Sequence, residues 1–217
     1  MQGDRTMGIW ERPSSQFLDN LEKNFNFNPP REPGLNTVEA IQSMLDKKVK
    51  LMLAMGGNFL SASPDTNQTA KALQHLDLSV QISTKLNRSH LVTGKQALIL
   101  PCLGRSEIDI QKHGKQFQSV ENSMGVVHST QGNLKPASPH LKSEISIVCE
   151  LAKEILGNRP VNWMELREDY NRIRNLISKC IPGFDNYNQK IKQKYGFYLS
   201  NPVRDSKEFP TSNGKVN

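Results

Sequence analysis

The chain has 217 residues, 36% of them hydrophobic, and a formal net charge of +7. That length suits one good-sized domain or one domain with appendages, and the modest hydrophobic share implies a core with polar, extended margins. No apolar run is long enough to span a bilayer and the opening MQGDRTMGIW is polar at once, which excludes a membrane helix and gives no secretory leader.

Cysteine, histidine and charge placement narrow the chemistry further. Cys102, Cys149 and Cys180 are far apart, form no CxxC pair and have apolar neighbours, so they read as small buried thiols in a reducing, cytoplasmic setting. His75, His90, His113, His128 and His140 show no HxH or HExxH spacing, so no metal site is expected within this chain. Residues 1–60 carry 7 basic and 7 acidic groups, whereas residues 131–217 carry 14 and 9. The excess falls on helical stretches where Lys and Arg ordinarily face water, and aromatic residues make up only 6%. A basic nucleic-acid-binding or nucleotide-binding module without a redox role is therefore the alternative reading, not the leading one.

The first thirty-six residues form a lead-in. Within it SSQFLDNLEKNF begins on a serine cap and spaces Phe17, Leu18, Leu21 and Phe25 as one helical face. FNPPREPGLN is a proline-rich connector, and Asn36 caps the helix TVEAIQSMLDKK. The run VKLMLAM (49–55) is apolar without alternation, the pattern of a strand covered on both faces. PDTNQTAKALQHLD is a helix with Pro64 and Asp65 at its start, LSVQIS (78–83) a second buried strand, LNRSHLVTG a short helix, and ALILPCLG (97–104) a third strand. FQSVENSMGVVHST (117–130) has the β-branched content and central turn of a hairpin or extended loop, and SEISIVCELAKEIL (143–156) is a helix capped by Ser143 and stopped by Gly157. The rest is helical and then polar.

These elements predict an α/β fold: a parallel, Rossmann-like sheet flanked by helices, with a helical C-terminal extension. The expected organisation is a lead-in at 1–36, an α/β domain at 37–157, a helical extension at 158–200 and a polar tail at 201–217. In such a sheet ligands bind beyond the carboxyl ends of the strands, which here read MGGNFLSASPD, VQISTKLNRSH and LPCLGRSEID. Gly56 and Gly57 permit close backbone approach, and Asn58, Ser61, Ser63, Gln81, Ser83, Thr84, Lys85, Asn87, Arg88 and His90 supply polar groups. Glu107 and Asp109 are acceptors suited to a purine's protons. The G-x-G-x-x-G fingerprint is absent, which disfavours an ordinary nicotinamide site, and no nucleophile–base pair or paired carboxylates stand at catalytic spacing. From residues alone the reading stops at a nucleotide-type ligand without visible chemistry.

At the same strand ends the chain resembles the molybdopterin oxidoreductases of the dimethyl sulfoxide reductase superfamily, in particular formate dehydrogenase-like alpha subunits. The likeness is carried by GGNFLSASPDTN, by VQISTKLNRSH, by Pro101 with Glu107 and Asp109 six and eight positions on, and by IVCELAKEIL. The opening QGDRTMG and the sequel IPGFDNYNQ…GFYLSNPVRD extend it over nearly the whole chain. The resemblance implies a cofactor, bis(molybdopterin guanine dinucleotide) with molybdenum or tungsten, of which this type of domain grips one guanine dinucleotide tail. It implies Gly57, Asn58, Ser61 and Asp65 near phosphates or sugar, Gln81, Ser83, Thr84 and Asn87 along a second edge, and Glu107 and Asp109 near the nucleoside. One departure is Ile82, where the family has Asp after the VQ pair. The resemblance further implies that iron–sulfur cysteines, the metal and other domains of the parent enzyme lie outside this stretch, so that no turnover is expected from it alone.

Overall fold

The computed structural model describes residues 2–216. In chain order the elements are α1 (Gln2–Thr6), α2 (Ser15–Phe25), α3 (Thr37–Leu45), β1 (Leu51–Met55), α4 (Phe59–Ala62), α5 (Thr66–Gln74) and β2 (Leu78–Ser83). A single 3₁₀ turn (Arg88–Leu91) leads to β3 (Gln96–Pro101), followed by β4 (Ile110–Gln111), β5 (Gly114–Lys115), β6 (Gln118–Glu121) and β7 (Val126–Thr130). Then come α6 (Glu144–Leu156), α7 (Trp163–Glu168), α8 (Tyr170–Cys180), α9 (Tyr187–Lys190), β8 (Phe197–Tyr198) and α10 (Pro202–Ser206). The fold is mixed α/β, with a three-stranded parallel sheet flanked by helices and a helical C-terminal region. No helix among the described residues is long and apolar enough to cross a membrane.

Local chemistry sets the helix ends. The Ser14 side chain accepts from the Phe17 amide and Ser143 from the Ser146 amide, each satisfying a donor that the helix itself leaves open. Asn36 and Glu39 form a reciprocal capping box at α3. Residues 162–181, helical throughout in the sequence reading, break at Asp169, whose carboxylate accepts from the Asn171 amide and starts α8 afresh.

The chain divides into two compact units. The first to be described comprises residues 32–109 and 132–157. Its parallel sheet has the order β1-β2-β3, and its core joins Ile41 and Met44 of α3, Leu60 of α4, and Ala72, Leu73 and Leu76 at α5, against Met52 of β1. Met52 and Ala54 stand in register with Ser79 and Gln81, and Gln81 hydrogen-bonds the 3₁₀ turn through Ser89. Both crossovers and α3 therefore lie on one face. The sequence pattern calls for strands covered on both faces, but β1 alternates exposed and half-buried residues, because every helix from 37 to 91 takes the same side.

The other unit comprises the chain up to Arg31, residues 110–131, and the chain from Asn158 onward. The hairpin β6–β7 forms as its β-branched content predicts, and β8 pairs antiparallel with β7. Residues 110–131, which the sequence reading keeps within 37–157, thus pack with the first residues and the C-terminal helices. The core is aromatic: Phe184, Tyr187 and Phe197 meet edge to face at centroid distances of 4.8, 5.9 and 5.7 Å, beside Val127 and Ile191. Arg174 is buried here with no carboxylate in hydrogen-bond contact among the described residues. It donates to Asn188 Oδ1, Phe117 O and Asn171 Oδ1, and lies 3.9 Å from the centroid of the Phe117 ring. Desolvation holds its pKa below the ordinary arginine value.

Candidate functional site

β1 runs into Gly56 and Gly57, at φ +64° and +71°. That left-handed conformation disfavours any residue with a Cβ, yet a Cβ on either glycine would meet nothing within 4 Å. The two glycines are thus required by the turn and leave open space beside the backbone. The Gly56 N–H donates to Ile82 O at 2.8 Å and carries the β1–β2 ladder one step past the strand.

Beyond that step the ends of β1 and β2 are tied together around Ser89. Asn58 Oδ1 caps α4 by accepting from the Ser61 amide at 3.4 Å, and it also accepts the Ser89 hydroxyl at 2.8 Å. Ser89 Oγ in turn accepts from the Leu60 amide at 2.9 Å. Asn87 donates its Nδ2–H to Gly57 O at 2.7 Å while its Oδ1 accepts from the Ser89 amide at 2.9 Å. Gln81 Nε2 reaches Ser89 O at 3.0 Å. Of the residues singled out from sequence, Gly57, Asn58, Gln81 and Asn87 are therefore one connected network, and Ser61 joins it through its amide. Ser89 stands at the centre, buried at 5% exposure, and the sequence reading passed over it. The run RSHL carries no motif; only the packing of the 3₁₀ turn on α4 marks it.

His90 adjoins this network. Its Nδ1 lies 3.0 Å from Asn87 N, 3.3 Å from Asn87 O and 3.2 Å from Asn87 Oδ1, contacts that suit either neutral tautomer of the ring. Nε2 is buried and has no hydrogen-bond partner among the described residues. A buried polar nitrogen in this condition costs about 1–3 kcal/mol until a group of matching polarity reaches it.

The remaining predicted residues have other local tasks. Asp65, at φ +48°, caps α5 by accepting from the Gln68 amide at 3.1 Å. Ser83 folds back to donate to Lys85 O at 2.7 Å, and Thr84 is exposed. Ile82 is 1% exposed and in register with Met55 and Leu100 on the sheet face opposite Gln81. Glu107 accepts from the Gly104 amide at 2.6 Å through one oxygen and from the Ala137 amide at 2.7 Å through the other. Those two bonds hold its carboxyl below the usual range. They make Glu107 a brace between the segment after β3 and residues 134–137, with both oxygens already engaged. Asp109 is half-buried two residues on.

The other unit holds a cavity of about 630 Å³, lined among others by Arg5, Thr6, Glu121, Gly125, Phe184 and Arg204. Thr6 Oγ1 donates to Glu121 Oε2 at 2.5 Å. Arg204 is committed to Asp205, donates to Leu199 O at 2.7 Å and lies 4.9 Å from the centroid of the Tyr198 ring. No motif of site type marks these residues in the sequence. Among the described residues, no group of three or more His, Cys, Asp or Glu side chains converges as metal ligands would.

No protein-family model matches the chain. Its whole length is similar to parts of longer proteins. It is 50% identical over 218 residues to the uncharacterized oxidoreductase Rv2900c of Mycobacterium tuberculosis and to the uncharacterized oxidoreductase Mb2924c of Mycobacterium bovis, covering 100% of this chain and 28% of each relative. It is 45% identical over 217 residues to protein YdeP of Escherichia coli K12, again with 100% of this chain and 28% of the relative covered. The chain thus spans little more than a quarter of these relatives.

The strand-end network can be tested against the nucleotide tail that the resemblance implies. An open glycine turn, amide and hydroxyl side chains held in fixed orientations and a buried ring nitrogen without a partner among the described residues all fit a polar ligand. No nucleophile–base pair is arranged among them.

Proposed function

We propose that this chain is the guanine-dinucleotide-gripping part of a larger oxidoreductase of the formate dehydrogenase-like molybdopterin kind. The observation that carries the reading is the Ser89-centred network, which locks the Gly56-Gly57 turn to the ends of β1 and β2 beside the buried His90 Nε2. Two further facts support it. The mycobacterial relatives bear the name oxidoreductase, and 72% of their length lies outside the aligned stretch, which leaves room for metal, iron–sulfur and substrate sites. In this reading Gly57, Asn58, Ser61 and Asp65 face the phosphates and sugar of one dinucleotide tail. Gln81, Ser83, Thr84 and Asn87 flank it, and Glu107 and Asp109 lie toward the nucleoside, Glu107 through whatever acceptor capacity its two backbone bonds leave. The bound cofactor supplies electron transfer at its molybdenum or tungsten ion. This chain contributes fixed amides and hydroxyls that hold the tail and keep the turn from moving. The three buried free thiols suit a cytoplasmic enzyme.

Titration of the 217-residue chain with GDP and GMP, followed by amide chemical shifts, tests the reading. Saturable shifts at Gly57, Asn87 and His90 are expected, with weak affinity because only one tail of the cofactor is represented. The Asn87→Ala variant should lose them. Shifts absent at millimolar nucleotide, or shared equally by the variant, would sink the proposal.

A further inference from the structure

The cavity of about 630 Å³ has the size of a small-molecule site, and every residue lining it belongs to the unit that holds the aromatic core. Bonds between distant segments fix its walls. Thr6 of α1 donates to Glu121 at the end of β6. Arg204 of α10 donates through Nη1 to Met124 O at 3.3 Å and through Nη2 to Leu199 O at 2.7 Å. The Leu199 N–H closes the same corner by donating to Gly125 O at 2.9 Å.

The lining groups that these bonds leave open are mainly donors. Arg5 makes no side-chain hydrogen bond among the described residues. Glu11 stands 3.6 Å from it, and its guanidinium carbon lies 4.9 Å from the centroid of the Trp10 ring. Among the described residues the Ser123 and Ser200 hydroxyls and the Asn201 Nδ2 group also have no hydrogen-bond partner. Arg204, by contrast, is neutralised by Asp205, which accepts from Nε at 2.6 Å and from Nη2 at 3.1 Å. Met124, Pro182 and Leu199 give the lining an apolar part.

We propose that this cavity binds a monocarboxylate carrying an apolar stem of several carbons. The carboxylate pairs with the planar fork of Arg5, which matches both of its oxygens, and Ser123, Ser200 and Asn201 supply further donors. The stem lies against Met124, Pro182 and Leu199. Charge limits the head to a single negative group. Arg204 is already matched by Asp205, and Glu121 stands in the lining, so a dianionic phosphate would meet more negative charge than Arg5 offsets. An uncharged ligand would leave the fork of Arg5 without an acceptor. The assignment is independent of the nucleotide reading, whose residues all belong to the other unit.

Calorimetric titration of the 217-residue chain with sodium hexanoate at fixed ionic strength, with amide shifts recorded in parallel, tests the assignment. Saturable binding is expected, with shifts at the Arg5 Nε–H and at the amides of Ser123 and Ser200. Hexan-1-ol lacks the charge and acetate lacks the stem, so each should bind about tenfold more weakly or worse, and hexyl phosphate should bind no more tightly than hexanoate. Arg5→Gln should weaken hexanoate about tenfold or more, and Arg5→Lys should restore part of the loss. Where α1 loses its structure in the Arg5 variants, a Ser123→Ala, Ser200→Ala double variant decides with Arg5 intact, and should bind about threefold more weakly or worse. The proposal is overturned by hexanoate that does not saturate, by hexan-1-ol or acetate binding equally well, by hexyl phosphate binding more tightly, or by folded Arg5→Gln and serine variants that match the parent.

Discussion

At the scale of single residues, the strand-end network turns on a side chain of two heavy atoms. Ser89 Oγ donates to Asn58 and accepts from the Leu60 amide, in a place that water does not reach. Ser89→Ala removes the partner of the Leu60 amide and leaves Asn58 Oδ1 only its longer bond from the Ser61 amide. The variant should lose about 1–3 kcal/mol of stability, read from the urea midpoint at unchanged slope. The neighbouring polar residues were legible beforehand because asparagine beside glycine signals a capped turn. Ser89 was not, because its importance comes from a helix thirty residues upstream in sequence. Glutamate 107 shows the converse. An isolated carboxylate after a strand invites a base-reading role, whereas its two oxygens bind the amides of Gly104 and Ala137, the second of which belongs to a distant segment.

At the scale of elements, Glu107 ties the continuation of β3 to residues 134–137. Backbone bonds follow the same path: the Ile108 amide donates to Leu134 O, and the Leu134 amide to Ser106 O. Gly132 passes so close that a Cβ there would stand 2.0 Å from Glu107 O, which requires glycine for space. The carboxyl of Glu107 is depressed from its ordinary 4.5 in the folded chain, chiefly by the Gly104 bond and next by the Ala137 bond. A depressed carboxyl contributes stability that is fully present above the unfolded value and is lost as pH falls through the folded value. Denaturation of the parent chain should therefore steepen below about pH 4.5. Glu107→Gln should be less stable at neutral pH and should show a flatter acid limb. Equal acid limbs in the two proteins would contradict the brace. The strands themselves were legible from their apolar runs, and the caps Ser14, Asn36 and Ser143 from their residue types. That one side of β1 is exposed was not, because a continuous apolar run looks the same whether or not both of its sides are covered.

At the scale of the whole molecule, the two units interleave along the chain, and residues 110–131 leave the α/β unit and return to it. Their exit and re-entry points are held together by the bridge between Glu107 and Leu134. Excising 110–131 and joining 109 to 132 through a short Gly-Ser linker should therefore leave residues 32–157 able to fold, since a short loop closed between paired ends costs little entropy. A single cooperative unfolding transition of the shortened chain, with the circular dichroism of an α/β fold, is the expected result. Loss of cooperativity would show that the excursion is part of the unit's core.

The amino-acid sequence by itself determined the helices and strands between residues 37 and 104, the parallel order implied by short β-α-β links, the helix caps and the glycine turn at the end of β1. These depend on neighbours within a few residues, where side-chain spacing and backbone conformational preference act directly. The tertiary structure alone decided that Ser89 centres the network, that Glu107 is a brace, that 110–131 packs with the C-terminal helices, and that one side of β1 is exposed. Each of those depends on contacts between segments far apart in the chain, and pairing of that kind leaves no periodic trace in either partner.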